Sequence, residues 1–273
     1  MKKKFFAILL SLFLFPIFLI SGCVGEAGKN SENANSMRHS KLLVIGIDEF
    51  APMGFHDKEG NIVGFDVDLA KEAAKRMGVH VEFKQIDWAD KERELESGNI
   101  DMIWNGLSIV PERKENILYS KPYMDNRQII LVKKGNPKNI NSLGDLEGKI
   151  VGAQAGSSAE AYLNEDAPLK KSFAKHLTYQ TVNEEFKALN DGECDALITD
   201  EIAARYEINK KPGAFEIVEV TVGPIAEFGV GFRKGNTELR DKVQKAFDDM
   251  IRDGTATRIS EEWFQADLIK SRR

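Results

Sequence analysis

Histidine and cysteine are scarce in this chain, which has four of the first and two of the second among 273 residues. No two histidines are spaced i,i+4, so the sequence indicates no metal site; they are His39, His56, His80 and His176. We find no Ser–His or Cys–His arrangement and no carboxylate pair placed by motif for acid–base chemistry. We therefore expect a protein that is not an enzyme and uses no cofactor.

Basic clusters are lacking in the body of the chain. The formal net charge is −5, and loss of residues 1–22 would remove three lysines and change it to −8. Proteins that bind nucleic acid usually carry a basic patch or stripe. The sequence therefore argues against nucleic acid as a partner.

Long apolar runs are limited to the N-terminus. Residues 5–20 are apolar except for Ser11 and Pro16, they follow three lysines, and small residues precede Cys23. This order is typical of a secretory signal peptide. A transmembrane anchor is the alternative, but sixteen residues are short for a bilayer span.

The five residues that end at Cys23 read Leu-Ile-Ser-Gly-Cys and resemble the bacterial lipobox. That resemblance implies a signal peptide over 1–22, lipidation of Cys23 and a lipid anchor on the outer face of the cell membrane. The polar residues 23–40 then form a flexible tether. Cys194 is left as a lone cysteine in an apolar segment, which favours a buried small hydrophobe over a catalytic thiol.

The body from residue 41 onward has about 230 residues, which suits two domains. Short apolar runs alternate with amphipathic stretches, and repeated βα units predict an α/β fold with mainly parallel sheets. The predicted strands are 42–47, 79–83, 100–104, 149–153 and 196–199, and the predicted helices are 65–77, 91–97, 158–164, 183–190, 201–208, 238–252 and 256–264. Two further strand-like stretches, 127–132 and 228–232, predict two extended crossings between two lobes.

Segments along nearly the whole body resemble the polar amino-acid-binding proteins of ABC importers, bacterial extracellular solute-binding proteins of family 3. In the order found in that family they are FAPMGF (50–55), GFDVDLA (64–70), LSIVPER (107–113), YSKPY (119–123), LEGKIVG (146–152), QAGSS (154–158), DALITDE (195–201), RDGT (252–255) and EWF (262–264). The resemblance implies a two-lobed periplasmic-binding-protein-like fold (type II), with two hinge strands and a ligand cleft between the lobes. Residues 41–126 and 228–273 would form lobe 1, and residues 127–227 lobe 2.

The function implied by this resemblance is that of a monomeric, extracytoplasmic solute-binding protein. It would close on a free polar L-amino acid and deliver it to the permease subunits of an ABC importer. Two alternatives share the fold: an enzyme similar to cyclohexadienyl dehydratase, and a sensory ligand-binding domain. The lack of catalytic motifs weighs against the first. The lack of a transmembrane or cytoplasmic module before Arg273 weighs against the second.

The backbone groups of a free amino acid are a carboxylate and an ammonium. Arg113 lies where the family has its carboxylate clamp, although its charged neighbours also allow a surface arginine. Ser157 and Ser158 precede a helix, where they can bind an anion or cap the helix. Asp200 ends a strand at a helix start and either pairs with the ammonium or caps that helix. The predicted supporting groups are Ser108 and the carbonyl of Gly106.

The side chain of the ligand is harder to infer. Phe50 and Trp88 match positions where the family sandwiches that side chain between aromatic rings, although core packing is the alternative for each. Asn105 can donate and accept hydrogen bonds, so it suits a polar side chain. Further possible contacts are Asp48, Glu49, Trp104 and Gln154. Arginine-type, glutamine-type and cystine ligands all stay open.

Overall fold

The computed structural model describes residues 42–270. The predicted signal peptide, the lipidation site at Cys23 and the tether lie outside these residues. Within residues 42–270 no helix is long and apolar enough to cross a membrane. In the same range, no three His, Cys, Asp or Glu residues are grouped so that they could hold a metal ion.

Twelve strands and eight α-helices make up the described chain. The strands are β1 (Leu42–Ile47), β2 (Phe55–His56), β3 (Ile62–Val63), β4 (His80–Gln85), β5 (Met102–Ile103), β6 (Ile117–Tyr119), β7 (Met124–Lys133), β8 (Ile150–Gln154), β9 (Lys175–Tyr179), β10 (Ala196–Asp200), β11 (Phe215–Phe228) and β12 (Gly231–Arg233). The helices are α1 (Phe65–Met77), α2 (Lys91–Ser97), α3 (Ser158–Glu165), α4 (Ala167–Ser172), α5 (Val182–Asp191), α6 (Glu201–Lys210), α7 (Thr237–Arg252) and α8 (Thr255–Phe264).

These strands form two five-stranded sheets and one short hairpin. The first sheet has the order β4-β1-β5-β12-β6, so it combines strands from both ends of the chain. The second has the order β11-β7-β10-β8-β9 and uses the middle of the chain. In each sheet three neighbouring strands are parallel (β4, β1 and β5; β10, β8 and β9) and the other two pair antiparallel. The sheets are therefore mixed, where mainly parallel sheets were expected.

Local sequence signals set the helix ends. α1 has Asp66 and Asp68 in its first turn, where negative charge favours a helix start, and Gly78 ends it in the left-handed conformation. At α5, the Thr181 side chain accepts from the Glu184 backbone while the Glu184 side chain accepts from the Thr181 backbone, which forms a capping box. These signals explain why α1 has the predicted bounds and why α5 starts at Val182, one residue before its predicted start.

The N-terminal and C-terminal helices pack together on the first sheet. α1, α7 and α8 contact one another, and the rings of Phe65 and Phe264 lie 4.9 Å apart. The Trp263 Nε1 donates a 2.8 Å hydrogen bond to Asp68 Oδ2. The first lobe is thus closed by contacts between residues nearly two hundred positions apart in sequence.

The predicted strand-like stretch 228–232 falls across two strands, because β11 ends at Phe228 and β12 begins at Gly231. The long antiparallel partner of β7 is β11, whereas most of the apolar stretch 228–232 lies near or in β12 of the first sheet. β11 has two register shifts, between Val218 and Thr221 and between Val222 and Ala226. Its side chains are mostly half-buried or exposed and include charged residues, so it lacks the apolar run that marks a strand buried on both faces.

Gly64 has a backbone conformation, and a close contact with Met53, that a residue with a side chain could not adopt. We expect Gly64→Ala to lower the free energy of unfolding by about 3 kcal/mol, because its φ is 146° and an added Cβ would lie 2.2 Å from the Met53 carbonyl oxygen. Gly60→Ala is the matched control, with φ 84° and nothing within 4 Å of the added Cβ. It should cost about 1 kcal/mol. Equal losses in urea unfolding would contradict the backbone clash.

Candidate functional site

A cavity lies where the carboxyl ends of parallel strands from both sheets meet. Its wall is formed by residues that follow β1, β4, β5 and β8 and by the last residues of β8 and β10. Ligands of open α/β sheets usually bind beyond the carboxyl ends of the strands. The lining residues are Asp48, Phe50, Trp88, Asn105, Gly106, Ser108, Arg113, Gln154, Ser157, Ser158 and Asp200.

Nine of these lining residues are the nine that the sequence predicts as ligand-binding, and Asp48 and Gln154 were predicted as possible side-chain contacts. Two other possible contacts lie elsewhere. The Glu49 carboxylate pairs with the imidazole of His56 at the surface. Trp104 is fully buried and packs its ring on Tyr123 and Phe247, at 6.4 and 5.9 Å between centroids, because its side chain points into the first lobe's core.

Arg113 is a buried arginine at the contact between the lobes. Its side chain is 6 % exposed, which contradicts the alternative of a solvated surface arginine. One terminal nitrogen donates to the Gly156 carbonyl at 2.7 Å and the other to the Ser108 carbonyl at 3.2 Å. Burial lowers the pKa of the Arg113 guanidinium from its usual value. A guanidinium has five N–H groups, so it retains donors for a further partner.

Lys91 brings a second positive group to the same carbonyl. The residue is 3 % exposed, and its Nζ donates to the Gly156 oxygen at 2.8 Å and to the Trp88 oxygen at 2.9 Å. Burial, and then repulsion from Arg113, lowers the pKa of Lys91 to about 7. Two cationic side chains therefore converge on Gly156, directly before α3.

The two serines at the start of α3 have different partners. Ser157 is the N-cap, and its hydroxyl accepts from the Glu160 backbone at 3.1 Å. The Ser158 hydroxyl lies 3.3 Å from the Ser108 hydroxyl of the first lobe, and it accepts from Gln128 Nε2 at 3.0 Å. Ser157 caps α3, and both Ser157 and Ser158 line the cavity. Helix capping and a position at the binding site are therefore compatible for Ser157.

Asp200 stands at the N-cap position of α6, but its side chain makes no capping hydrogen bond. Its Oδ1 instead accepts from Gln128 Nε2 at 2.7 Å and from the side-chain amide of Asn126. Burial raises the pKa of Asp200, although these two hydrogen bonds and the Arg113 charge act in the opposite direction. The side chain is therefore fixed as part of the cavity wall, and the helix-capping alternative is not observed.

Phe50 and Trp88 line the cavity with aromatic surface, and both are buried. The Phe50 ring packs edge-on against Phe228, with centroids 6.4 Å apart. Gly106 has a φ of 61°, and an added Cβ there would lie 2.2 Å from the Phe50 ring. Its N–H donates to Asp66 Oδ2 at 2.6 Å, so a buried carboxylate holds this glycine beneath the ring.

Asp48 joins the two lobes through Gln154. Its Oδ2 accepts from Gln154 Nε2, its Oδ1 accepts from Gln85 Nε2 at 3.2 Å, and its N–H donates to Asn105 Oδ1 at 2.9 Å. Burial raises the pKa of Asp48 to about 6. Asp48 therefore faces the cleft, whereas the neighbouring Glu49 does not line it, which resolves the choice between these two acids.

Several polar residues around the cavity were not predicted from the sequence: Lys91, Asn126, Gln128 and Glu185. Glu185 lies one layer of side chains behind the wall of the cavity, and the sequence contains a pattern that indicates its burial. In α5 the buried positions include Val182, Phe186 and Leu189, and Glu185 stands on the same face at helical spacing. An acid within an apolar helical stripe marks a buried charge.

A model of "Bacterial extracellular solute-binding proteins, family 3" matches residues 43–266. The L-cystine-binding protein TcyJ of Escherichia coli (strain K12) is 31 % identical over 258 residues, covering 94 % of this chain and 95 % of that protein. The arginine-binding extracellular protein ArtP of Bacillus subtilis (strain 168) is 32 % identical over 254 residues, covering 91 % and 96 %.

Solved structures show the same architecture. An ABC uptake transporter substrate-binding protein from Streptococcus pneumoniae, with bound histidine, has a TM-score of 0.81 at 37 % identity and covers 88 % of this chain and 99 % of its own. The fold and cleft therefore define a two-lobed solute-binding protein, and the predicted fold class is confirmed. The chain belongs to family 3 of the bacterial extracellular solute-binding proteins.

Glu185 should make the stability of the protein fall as pH rises. Burial raises its pKa from 4.5 to about 8, so between these values the folded state keeps a proton that the unfolded state has released. Because the unfolded state binds fewer protons, the free energy of unfolding decreases with pH, by at most about 1.4 kcal/mol per pH unit for one group.

Urea unfolding at pH 5 and pH 8 measures this dependence. Glu185→Gln should show a smaller loss of stability between the two pH values than the wild type. The other buried acids, such as Asp48 and Asp66, titrate in both proteins and cancel in the comparison. Equal losses in wild type and variant would show that Glu185 is ionised throughout.

Proposed function

We propose that this protein binds a free polar L-amino acid between its lobes and delivers it to the permease of an ABC importer. The observation that carries the proposal is the meeting of a buried guanidinium, that of Arg113, and a half-buried carboxylate, that of Asp200, at one cavity. A zwitterionic amino acid has a carboxylate that can pair with Arg113 and an ammonium that can pair with Asp200. The relatives named above are binding proteins, and the eleven lining residues include neither histidine nor cysteine.

The ligand carboxylate is assigned to the Arg113 end. Arg113 and Lys91 concentrate positive charge beside the start of α3, and the hydroxyls of Ser108 and Ser158 lie at the same contact. A guanidinium can bind a carboxylate through two parallel hydrogen bonds. Two buried cations next to each other repel, and an anion bound at this position would reduce that repulsion.

The ligand ammonium is assigned to Asp200. Asn126 and Gln128 hold the carboxylate of Asp200 in place, and this side chain makes no hydrogen bond that caps α6. The ligand side chain then lies against Phe50 and Trp88, with the polar groups of Asp48, Asn105 and Gln154 within the same cavity. This arrangement suits a flat or extended side chain with a polar or cationic end.

The two lobes are proposed to be residues 41–126 with 228–273 and residues 127–227, joined by β7 and β11. The pairing of these two strands and the register shifts of β11 support a hinge there. The cross-lobe contacts of Arg113, Lys91 and Asp48 with Gly156 and Gln154 belong to a closed arrangement. Opening would break them and expose the cleft.

Membrane attachment through acylated Cys23 is proposed on the sequence alone, with residues 23–40 as the tether. An anchored monomer would keep the lobes close to the permease on the outer face of the membrane. The acyl chains would supply the membrane contact.

A thermal-shift screen of residues 41–273 against the twenty amino acids, cystine and ornithine tests the proposal. Ligand at about a thousand times its Kd should stabilise the protein by about 4 kcal/mol. Arg113→Ala should remove the shift for every ligand because the carboxylate clamp is lost. Lys114→Ala changes an exposed neighbouring charge and should keep it. Unchanged binding by the Arg113 variant would remove Arg113 from the site, and no shift for any compound would contradict amino-acid binding.

Asp200→Asn tests the ammonium position. We expect a loss of binding free energy of about 2–5 kcal/mol, because a buried ammonium would lose its counter-charge. Asp191→Asn, an exposed acid in the same lobe, should leave the Kd unchanged. Calorimetric titration with the ligand from the screen gives both values. A loss of only a few tenths of a kcal/mol would show that Asp200 does not contact the ammonium.

A further inference from the structure

We propose that Glu185 makes the cleft prefer ligands whose side chain ends in a positive charge. It acts as a positioning and specificity-determining residue from a chamber behind the cleft wall. The inference rests on the proposed amino-acid binding and adds the chemical class of the ligand: arginine-like, lysine-like or a side chain carrying a second ammonium.

The chamber is separated from the cleft by a single layer of side chains. It has no room for a water molecule, and it shares Gln154, Ser157 and Asp200 with the cleft wall. A charge in the chamber is thus close to a ligand beside those residues, in surroundings that screen it poorly. The complete lining is Gln128, Gln154, Ser157, Ala159, Glu185, Ile198, Thr199 and Asp200.

The Glu185 carboxyl is only partly satisfied by the protein. The residue is 1 % exposed, and its Oε1 accepts from the Thr199 hydroxyl at 2.6 Å. Its Oε2 is buried without a hydrogen-bond partner among residues 42–270, and the same holds for Gln128 Oε1 in the wall of the same chamber. A glutamate kept at such a position costs free energy, and the Thr199 hydrogen bond by itself would be served equally by a glutamine.

The groups that face Glu185 supply no positive charge. They are Asp200 at the end of β10, Asp48 after β1, Tyr179 on β9 and Cys194 before β10. Burial, with added repulsion from Asp200 and Asp48, raises the pKa of Glu185 to about 8, so it holds a proton at neutral pH. The positive groups of the cleft, Arg113 and Lys91, are engaged with Gly156 at the carboxylate end.

A ligand cation near Gln154 would supply the missing charge. It would lower the pKa of Glu185 and drive its proton off, and the same coupling free energy would strengthen cation binding. Each unit by which the pKa falls corresponds to a tenfold gain in affinity once the pH exceeds the pKa of free Glu185. The α-ammonium at Asp200 is common to all ligands, so a neutral ligand of equal shape lacks only the part of this gain that a side-chain cation supplies.

L-Arginine and L-citrulline form the matched pair, since they have nearly the same shape and differ in side-chain charge. The arginine preference is the Kd for citrulline divided by the Kd for arginine, both measured by calorimetry. In the wild type this ratio should rise about tenfold from pH 6.5 to pH 8.5. Lys91 and the groups that contact the ligand's carboxylate and α-ammonium titrate in the same way with both ligands. Their effects therefore cancel in the ratio of the two Kd values. In Glu185→Gln the preference should rise much less between the two pH values, because Asp48, with a pKa of about 6, is largely ionised at both. Glu193→Gln removes an exposed acid just after α5 and should behave as wild type.

The wild type provides a test that needs no variant. At pH 7.5, titrations in phosphate and in Tris report proton exchange from the difference in buffer ionisation enthalpy. Arginine should release more protons than citrulline. Equal release, a pH-independent preference, or binding of neutral amino acids with neither member of the pair would overturn the role of Glu185. Failure to bind any amino acid would instead overturn the proposed function.

Discussion

Compensation of buried charge at the cleft is the constraint on which the rest of the structure depends. Arg113 and Lys91 reach the Gly156 carbonyl from the first lobe, and Asp48 reaches Gln154 of the second. A buried ion without partners costs several kcal/mol, so these groups require either each other's lobe or a ligand. The same groups that would bind a zwitterion therefore also hold the lobes together in the closed arrangement.

The fold supplies the geometry for this compensation. Parallel strands of both sheets end at the cavity, so residues directly after each strand meet there although they are far apart in sequence. Asp66 adds a layer beneath the site, since it accepts from Gly106 and from the Tyr123 hydroxyl at 2.7 Å. Rigid strands with a second layer of hydrogen bonds can hold ligand-binding groups within narrow limits, which loops alone do not achieve.

Charge is distributed unevenly along the cleft. Positive groups cluster before α3, whereas Asp48, Asp200 and, behind the wall, Glu185 are acids. Burial raises the pKa of each of these three acids. This distribution supports the proposed ligand, which has one carboxylate and more than one cationic group.

The sequence by itself determined the α/β alternation, the bounds of β1, α1 and α2, and the nine proposed binding residues, because apolar period, capping residues and family motifs are local in the chain. It did not predict β11, since this strand is irregular and half-exposed. It did not decide which of Asp48 and Glu49 lines the cleft, whether the Asp200 side chain caps α6, or that Trp104 and Glu185 are buried. Only the tertiary structure decided these, because burial and electrostatic environment depend on residues brought together from distant parts of the chain.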